Sequence, residues 1–226
     1  MKATTQRRQG MIAIILVAVL LIIDQIIKVE VKTGMRLHES IHITDWFQLA
    51  CIENNGMAYG MTFINKIVLS LFRICAVSLI GYYIFRLVRR GGSRTGYIVC
   101  LSLILAGAAG NIFDCLFYGL IFSASTPFDV ASFVPFGEGY APFLQGKVVD
   151  MFYFPIIDTT LPDWFPIWGG DHFIFFSPIF NFADACISVG VILLLLFYRK
   201  DLSTLSLSRQ RTDKDDTATK PADDIQ

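Results

Sequence analysis

Charge is scarce in this chain: Asp, Glu, Lys and Arg make up only 17% of 226 residues, and 19 basic side chains balance 19 acidic ones. A net charge of zero gives no basic surface for a nucleic acid. Histidines number three, His38, His42 and His172, and no Cys/His cluster appears, so no metal is expected. Gly-x-Ser-x-Gly, Ser-x-x-Lys, Walker and dinucleotide glycine patterns are also missing, which removes the common serine hydrolases and nucleotide enzymes. Five cysteines, Cys51, Cys75, Cys100, Cys115 and Cys186, form no disulfide framework; all but Cys51 lie in apolar segments and read as small hydrophobes. A basic start and an apolar run from Met11 to Ile23 resemble a signal peptide. No small-x-small cleavage site follows, so the run reads as an uncleaved first span.

Apolar residues are abundant. They make up 54% of the chain and mean hydropathy is +0.55, which points to a membrane protein. Four segments approach the roughly 20 apolar residues that a span requires: about 11–28, 67–88, 96–122 and 173–198. Lys2, Arg7, Arg8, Arg86, Arg89, Arg90, Arg94, Arg199, Lys200, Arg209, Arg211, Lys214 and Lys220 all flank these segments on one side. That is 13 of the 19 basic residues, and the positive-inside rule places both termini in the cytoplasm. Segments 29–66 and 123–172 then face outward. The first holds an Asn-Asn-Gly turn signal between short strand-like runs. The second is long and rich in Pro, Gly and aromatics that suit a bilayer interface. The expected fold is a membrane all-α protein of four helices, 1–202, with small β-rich or irregular outer segments. The polar tail 203–226 is expected to be disordered.

This topology sorts the polar residues by depth. Asp24 falls near the outer end of the first span. Asn111 and Asp114 lie about 15 and 18 residues past Gly96, roughly 22 to 27 Å up a helix. Asn181 and Asp184 stand at the outer start of the fourth span. Three helices thus deliver carboxylates and amides to the outer third of the membrane, where ionisable groups usually face the bundle interior and mark a site. Plainer readings stand beside this one. Asp24 and Lys28 could be a solvated pair, Asn111 and Asp114 could link helices, and Asn181 or Asp184 could cap the fourth span. Carboxylates remain the one reactive type well represented. Two of them held close share a proton, leaving one as base and one as acid, a pair suited to activating water against a peptide carbonyl. A proton- or ion-coupled transporter using Asp24, Asp114 and Asp184 is the rival, and it predicts polar residues throughout the spans.

Five elements in order resemble lipoprotein signal peptidase (signal peptidase II), a family of aspartyl proteases of the bacterial inner membrane. They are "DQIIK" (Asp24 to Lys28), "NNGMAYG" (Asn54 to Gly60), "AGAAGNIFD" (Ala106 to Asp114), "KVVDMFYF" (Lys147 to Phe154) and "FNFADACISVG" (Phe180 to Gly190). The resemblance implies removal of signal peptides from diacylglyceryl-modified prolipoproteins, by cleavage before the lipidated Cys without metal or organic cofactor. It implies a monomer with its site toward the periplasm, lipids around it and lipidated prolipoproteins as partners. It places the catalytic pair on Asp150 and Asp184. Asp24, Lys28, Asn54, Gly56, Asn111, Asp114, Asn181 and Ala183 take supporting positions. Depth alone favours Asp114 over Asp150 as the partner of Asp184, since Asp150 otherwise reads as a solvated loop carboxylate.

Two features depart from the family pattern. Cys115 stands where the pattern has Arg; Lys28, Arg73 and Lys147 are candidates for the missing function. About 35 residues separate Asp114 from Asp150, so 123–145 reads as an insertion, a lid or a binding surface.

Overall fold

The structure is a computed structural model that describes residues 2–55 and 66–202. Four helices carry the apolar sequence: α1 (Lys2–Gly34), α2 (Lys66–Arg90), α3 (Thr95–Phe113) and α4 (Phe182–Phe197). A π-turn, Asp114–Tyr118, and a last turn, Gly119–Ile121, extend α3. Among the described residues three helices, Ala3–Gly34, Lys66–Arg90 and Thr95–Ile121, are long and apolar enough to cross a membrane. Along their middles they expose apolar side chains, such as Ile14, Ile15, Val19 and Ile22 on α1.

The fourth apolar segment departs from expectation. The helix does not begin at 173; it covers only 16 residues. At about 1.5 Å per residue that is roughly 24 Å, short of a full hydrocarbon thickness. Residues before it are claimed by strands, because Phe173 pairs with Thr159, Phe175 with Ile157, and Phe180 with Phe152. Asn181 then starts the helix by a capping box with Asp184.

The outer segments build a four-stranded antiparallel sheet in the order β1-β2-β3-β6: β1 (Ser40–Thr44), β2 (Phe47–Asn54), β3 (Val148–Tyr153) and β6 (Ile179–Phe180). A separate hairpin pairs β4 (Ile157–Thr160) with β5 (His172–Phe175). The β-rich expectation for these segments therefore takes a definite form, with β3 central.

Small residues let the helices close around α3. A Cβ on Gly107 would meet Ala183 O at 2.2 Å, and one on Gly110 would meet Asp24 Oδ2 at 2.5 Å. These glycines bring α4 and α1 against α3 at the level of the polar residues. One apolar cluster lies at the helix ends away from the sheet (Tyr97, Ile98, Leu101, Leu194) and a second packs α1 under the sheet (Val31, Met35, Tyr118, Phe122, Val149, Met151). The 123–145 insertion folds back on the end of α3. Val134, Gly137, Tyr140 and Ala141 donate backbone N–H groups to the carbonyls of Ile121, Leu120, Phe122 and Gly119. Those carbonyls would otherwise be orphaned at a helix end, which explains why the segment is ordered there.

Candidate active site

Asp24 and Lys28 are one turn apart, so both face the bundle. Neither is solvated. Lys28 Nζ lies 3.0 Å from Asp24 Oδ2 and 2.8 Å from Asp114 Oδ2, and donates to Asn111 Oδ1 at 2.8 Å. One hydrogen bond and two ion pairs thus surround this fully buried ammonium, as its charge requires. Gln25 adds a second layer: its amide donates to Asp24 at 3.1 Å and Asp114 at 3.0 Å, and its carbonyl accepts from Tyr118 at 3.0 Å. Asp24 Oδ1 also accepts from the backbone N–H of Ala183 at 3.0 Å, docking the first turn of α4 on α1. Asp114 is engaged by Lys28 and Gln25, which fits support rather than a free reactive carboxylate.

Asp150 is not a solvated loop residue. It stands on β3 opposite Ile52 of β2 and is 4% exposed. Asn181 Nδ2 donates to its Oδ1 at 2.7 Å, and Asn54 Nδ2 to its Oδ2 at 3.2 Å. Burial, followed by the charge of Asp184, pushes its carboxyl up to about 7, against the opposing pull of these two amides. Asp184 Oδ1 accepts from Asn111 Nδ2 at 2.7 Å. Asn181 Nδ2 also donates to Asn111 Oδ1 at 3.1 Å, so one asparagine pair bridges the two aspartates. The capping reading of Asn181 holds together with this role, because its Oδ1 accepts from Asp184 N at 2.9 Å while its amide serves the site.

All the anticipated positions except Gly56, which lies outside the described residues, therefore join one hydrogen-bonded network. The sequence reading missed Gln25 and Tyr118, and it missed a second charged cluster. Lys32, one turn beyond Lys28, forms a buried ion pair with Glu53 of β2 and donates to Ser125 Oγ at 3.1 Å. Ser125 donates to Glu53 at 2.7 Å and Lys147 Nζ to Glu53 at 3.0 Å. Burial alone would raise the Glu53 carboxyl; the Lys32 charge and the three donors instead hold it below the usual carboxylate range. The spacing 24, 28, 32 on one helix face was the signal that could have revealed it.

Of the candidates to replace an Arg at position 115, Arg73 of α2 reaches Cys115 Sγ at 3.5 Å, whereas Lys28 and Lys147 are bound to carboxylates. One further spacing, His38-Glu39-Ser40-Ile41-His42, matches the His-Glu-x-x-His pattern of zinc helices. Here it runs from a turn into strand β1, so the histidines do not share the one-turn spacing of a helix, and His42 contacts Asp45 at 3.4 Å. Among the described residues no group of three His, Cys, Asp or Glu side chains is placed to hold a metal.

A family model described as signal peptidase (SPase) II matches residues 16–199. The chain is 48% identical over 197 residues to the lipoprotein signal peptidase of Porphyromonas gingivalis, covering 87% of each. It is 35% identical to that of Amoebophilus asiaticus, covering 80% of this chain and 75% of the relative. Two solved structures described as bacterial membrane enzymes, at 2.3 and 1.9 Å, share the fold with TM-scores of 0.53 at 21% and 23% identity. They cover 95% and 81% of this chain and 94% and 90% of their own. With the family model and the relatives each spanning most of the chain, this protein belongs to the signal peptidase II family.

Proposed function

We propose that the protein removes signal peptides from lipid-modified prolipoproteins, using Asp150 and Asp184 as a carboxyl dyad. The observation that carries this reading is the Asn111–Asn181 bridge, which donates to one oxygen of each carboxyl group and links the two aspartates to each other. Asp150, with its carboxyl pushed up to about 7, is the proton holder. It donates that proton in a hydrogen bond to the scissile carbonyl oxygen. Asp184 takes a proton from water, whose oxygen attacks the carbonyl carbon. Collapse of the tetrahedral intermediate breaks the C–N bond, and a dyad proton passes to the leaving amine.

Lys28 keeps its charge on Asn111, Asp24 and Asp114 and orients the bridge without entering the reaction. A transporter relay would need polar groups along the whole depth of the membrane. Around α3 the cytoplasmic half instead packs Ile98, Cys100 and Leu101.

The chain acts as a monomer in the bacterial inner membrane, with both termini cytoplasmic and the site opening toward the periplasm. In that orientation α4 starts at the depth of the outer headgroups, where the acyl chains of a lipidated cysteine hold its peptide. The hairpin β4–β5 meets the same lipid surface. The test is a gel-shift assay on a lipidated prolipoprotein. D150N and D184N should each lose at least about 100-fold in rate. Near-normal cleavage by either variant overturns the dyad.

A further inference from the structure

Lys32, Glu53, Ser125 and Lys147 play no part in the chemistry above, yet all four are drawn together beside it. Glu53 precedes Asn54, the residue whose amide holds Asp150. Lys147 leads into Val148, which pairs with Asn54 across β2 and β3. Alternation along β2 sends Glu53 to the face opposite Asn54, so the cluster lies on the reverse side of the two strands that present Asn54 and Asp150.

The insertion seals it. Ser125 donates to Glu53, the Tyr140 ring lies 4.9 Å from Lys32 Nζ and 5.6 Å from Lys147 Nζ, and Tyr140 OH accepts from Lys147 N. A fully buried lysine such as Lys32 requires a partner held in one place, because the charge cannot be left unpaired in an apolar surround. The site thus has two supports from one face of α1. Lys28 reaches Asp184 through Asn111, and Lys32 reaches β2 through Glu53.

We propose that Lys32, Glu53, Ser125 and Lys147 form a positioning cluster, closed by the 123–145 insertion, that fixes β2 against β3 so that Asn54 presents its amide to Asp150. This rests on Asp150 being a reacting group. The insertion is then a brace for the acid half of the dyad, built from residues that depend on one another. Ser125 and Tyr140 have no cluster to close without Lys32 and Glu53.

The test is the pH profile of kcat/KM for lipidated prolipoprotein in E53Q and S125A, with N54A as the benchmark. Asn54 favours the ionised form of Asp150, so its loss moves the Asp150 limb to higher pH. The groups that face Asp150 are Asp184 and Asn181 at the start of α4, Lys28 on α1 and Asn54 on β2; Glu53 and Lys147 lie behind it, with Lys66 at the start of α2 beside them. A field effect alone would have the opposite sign, since deleting the Glu53 charge would lower the Asp150 limb.

The cluster predicts an upward shift in both variants, no further shift when either is combined with N54A, and a loss of about tenfold in kcat/KM, the size of one lost hydrogen bond. A lower melting temperature with an unmoved or lowered limb overturns the proposal, because that is the signature of a structural ion pair. S125A, which removes one neutral hydrogen bond, decides the matter if E53Q does not fold. D150N and D184N assayed in parallel separate the two readings. Their activity would overturn both, whereas inactive aspartate variants with an unmoved E53Q limb would remove only the positioning cluster.

Discussion

Asn181 uses nearly every polar atom it has. Its amide protons go to Asp150 and Asn111, its side-chain oxygen accepts from Asp184 N, its backbone N–H turns to Asp184 Oδ2 at 3.4 Å, and its carbonyl accepts from Ala185 N. No other side chain of that size offers two donors and one acceptor in this geometry. N181A should cost about 1 kcal/mol through the lost cap, and more because Asp150 keeps only the Asn54 amide of its two donors. N181D keeps the cap but sets a third carboxylate against Asp150. It should therefore be the more stable of the two variants at acid pH and the less active at neutral pH, in thermal unfolding and cleavage assays. The Asp150 carboxyl gives a second expectation with a definite sign. The folded protein holds this proton up to about 7, while an unfolded Asp releases it near 4. Deprotonation thus favours the unfolded state, and stability falls as pH rises from about 4 to 7 and levels off above. D150N should lose that slope, and cleavage by the natural sequence should decline above neutral pH as the shared proton leaves.

Helix packing makes demands at the next scale, and α3 meets them with glycine. At Gly107 even a methyl group would strike the backbone carbonyl of Ala183 at 2.2 Å, an atom that cannot rotate away. G107A should push α4 from α3, stretch the Asn111–Asp184 contact, lower the melting temperature and slow cleavage by about tenfold or more. G81A, whose Cβ would meet only the Leu105 side chain at 4.0 Å, should change neither. These elements were legible to different degrees. Hydropathy located α1, α2 and α3 to within a few residues, apart from the ends of α1, because long apolar runs leave no alternative to a helix in lipid. It overran α4 by nine residues, since Phe173–Phe180 is as apolar as a span and only its pairing with β4 and β3 makes it strand. Asp24, Asn111 and Asp184 could be grouped by depth, which follows from helix rise. Asp150 could not, because nothing in "KVVDMFYF" states that β3 will lie between β2 and β6 against the start of α4. The spacing 24, 28, 32 marks Lys32 as facing the bundle, but its pairing with Glu53 is a contact across 21 residues that no local pattern encodes.

For the whole molecule, the distribution of aromatic side chains bears on how it sits in lipid. All three tryptophans, Trp46, Trp164 and Trp168, lie in the outer segments. Trp46 stacks on Phe154 at 6.1 Å, and Phe154 on Phe180 at 5.7 Å, so the sheet and the root of the β4–β5 hairpin share one aromatic row that ends beside Asn181. Beyond that root the hairpin exposes Trp164 (78%), Ile167 (89%) and Trp168 (57%). Water is a poor neighbour for such a surface, and an indole is most stable where an apolar zone meets headgroups. Residues 155–180 contain Asp158, Asp163 and Asp171 but no Lys or Arg, so attraction to anionic lipid cannot hold the hairpin, and apolar insertion has to. The chain reconstituted in phosphatidylcholine vesicles as the W46F variant should then show Trp164 and Trp168 emission that is blue-shifted, quenched by lipids brominated near the headgroup and indifferent to salt. Quenching only by acyl-chain-terminal bromines, or by an aqueous quencher at the rate seen in detergent, would place the hairpin elsewhere. With the hairpin on the bilayer, W164D/W168D should raise KM for a lipidated prolipoprotein in vesicles more than in detergent, because β3, which carries Asp150, and β6, which ends at the residue before Asn181, lead into its two arms.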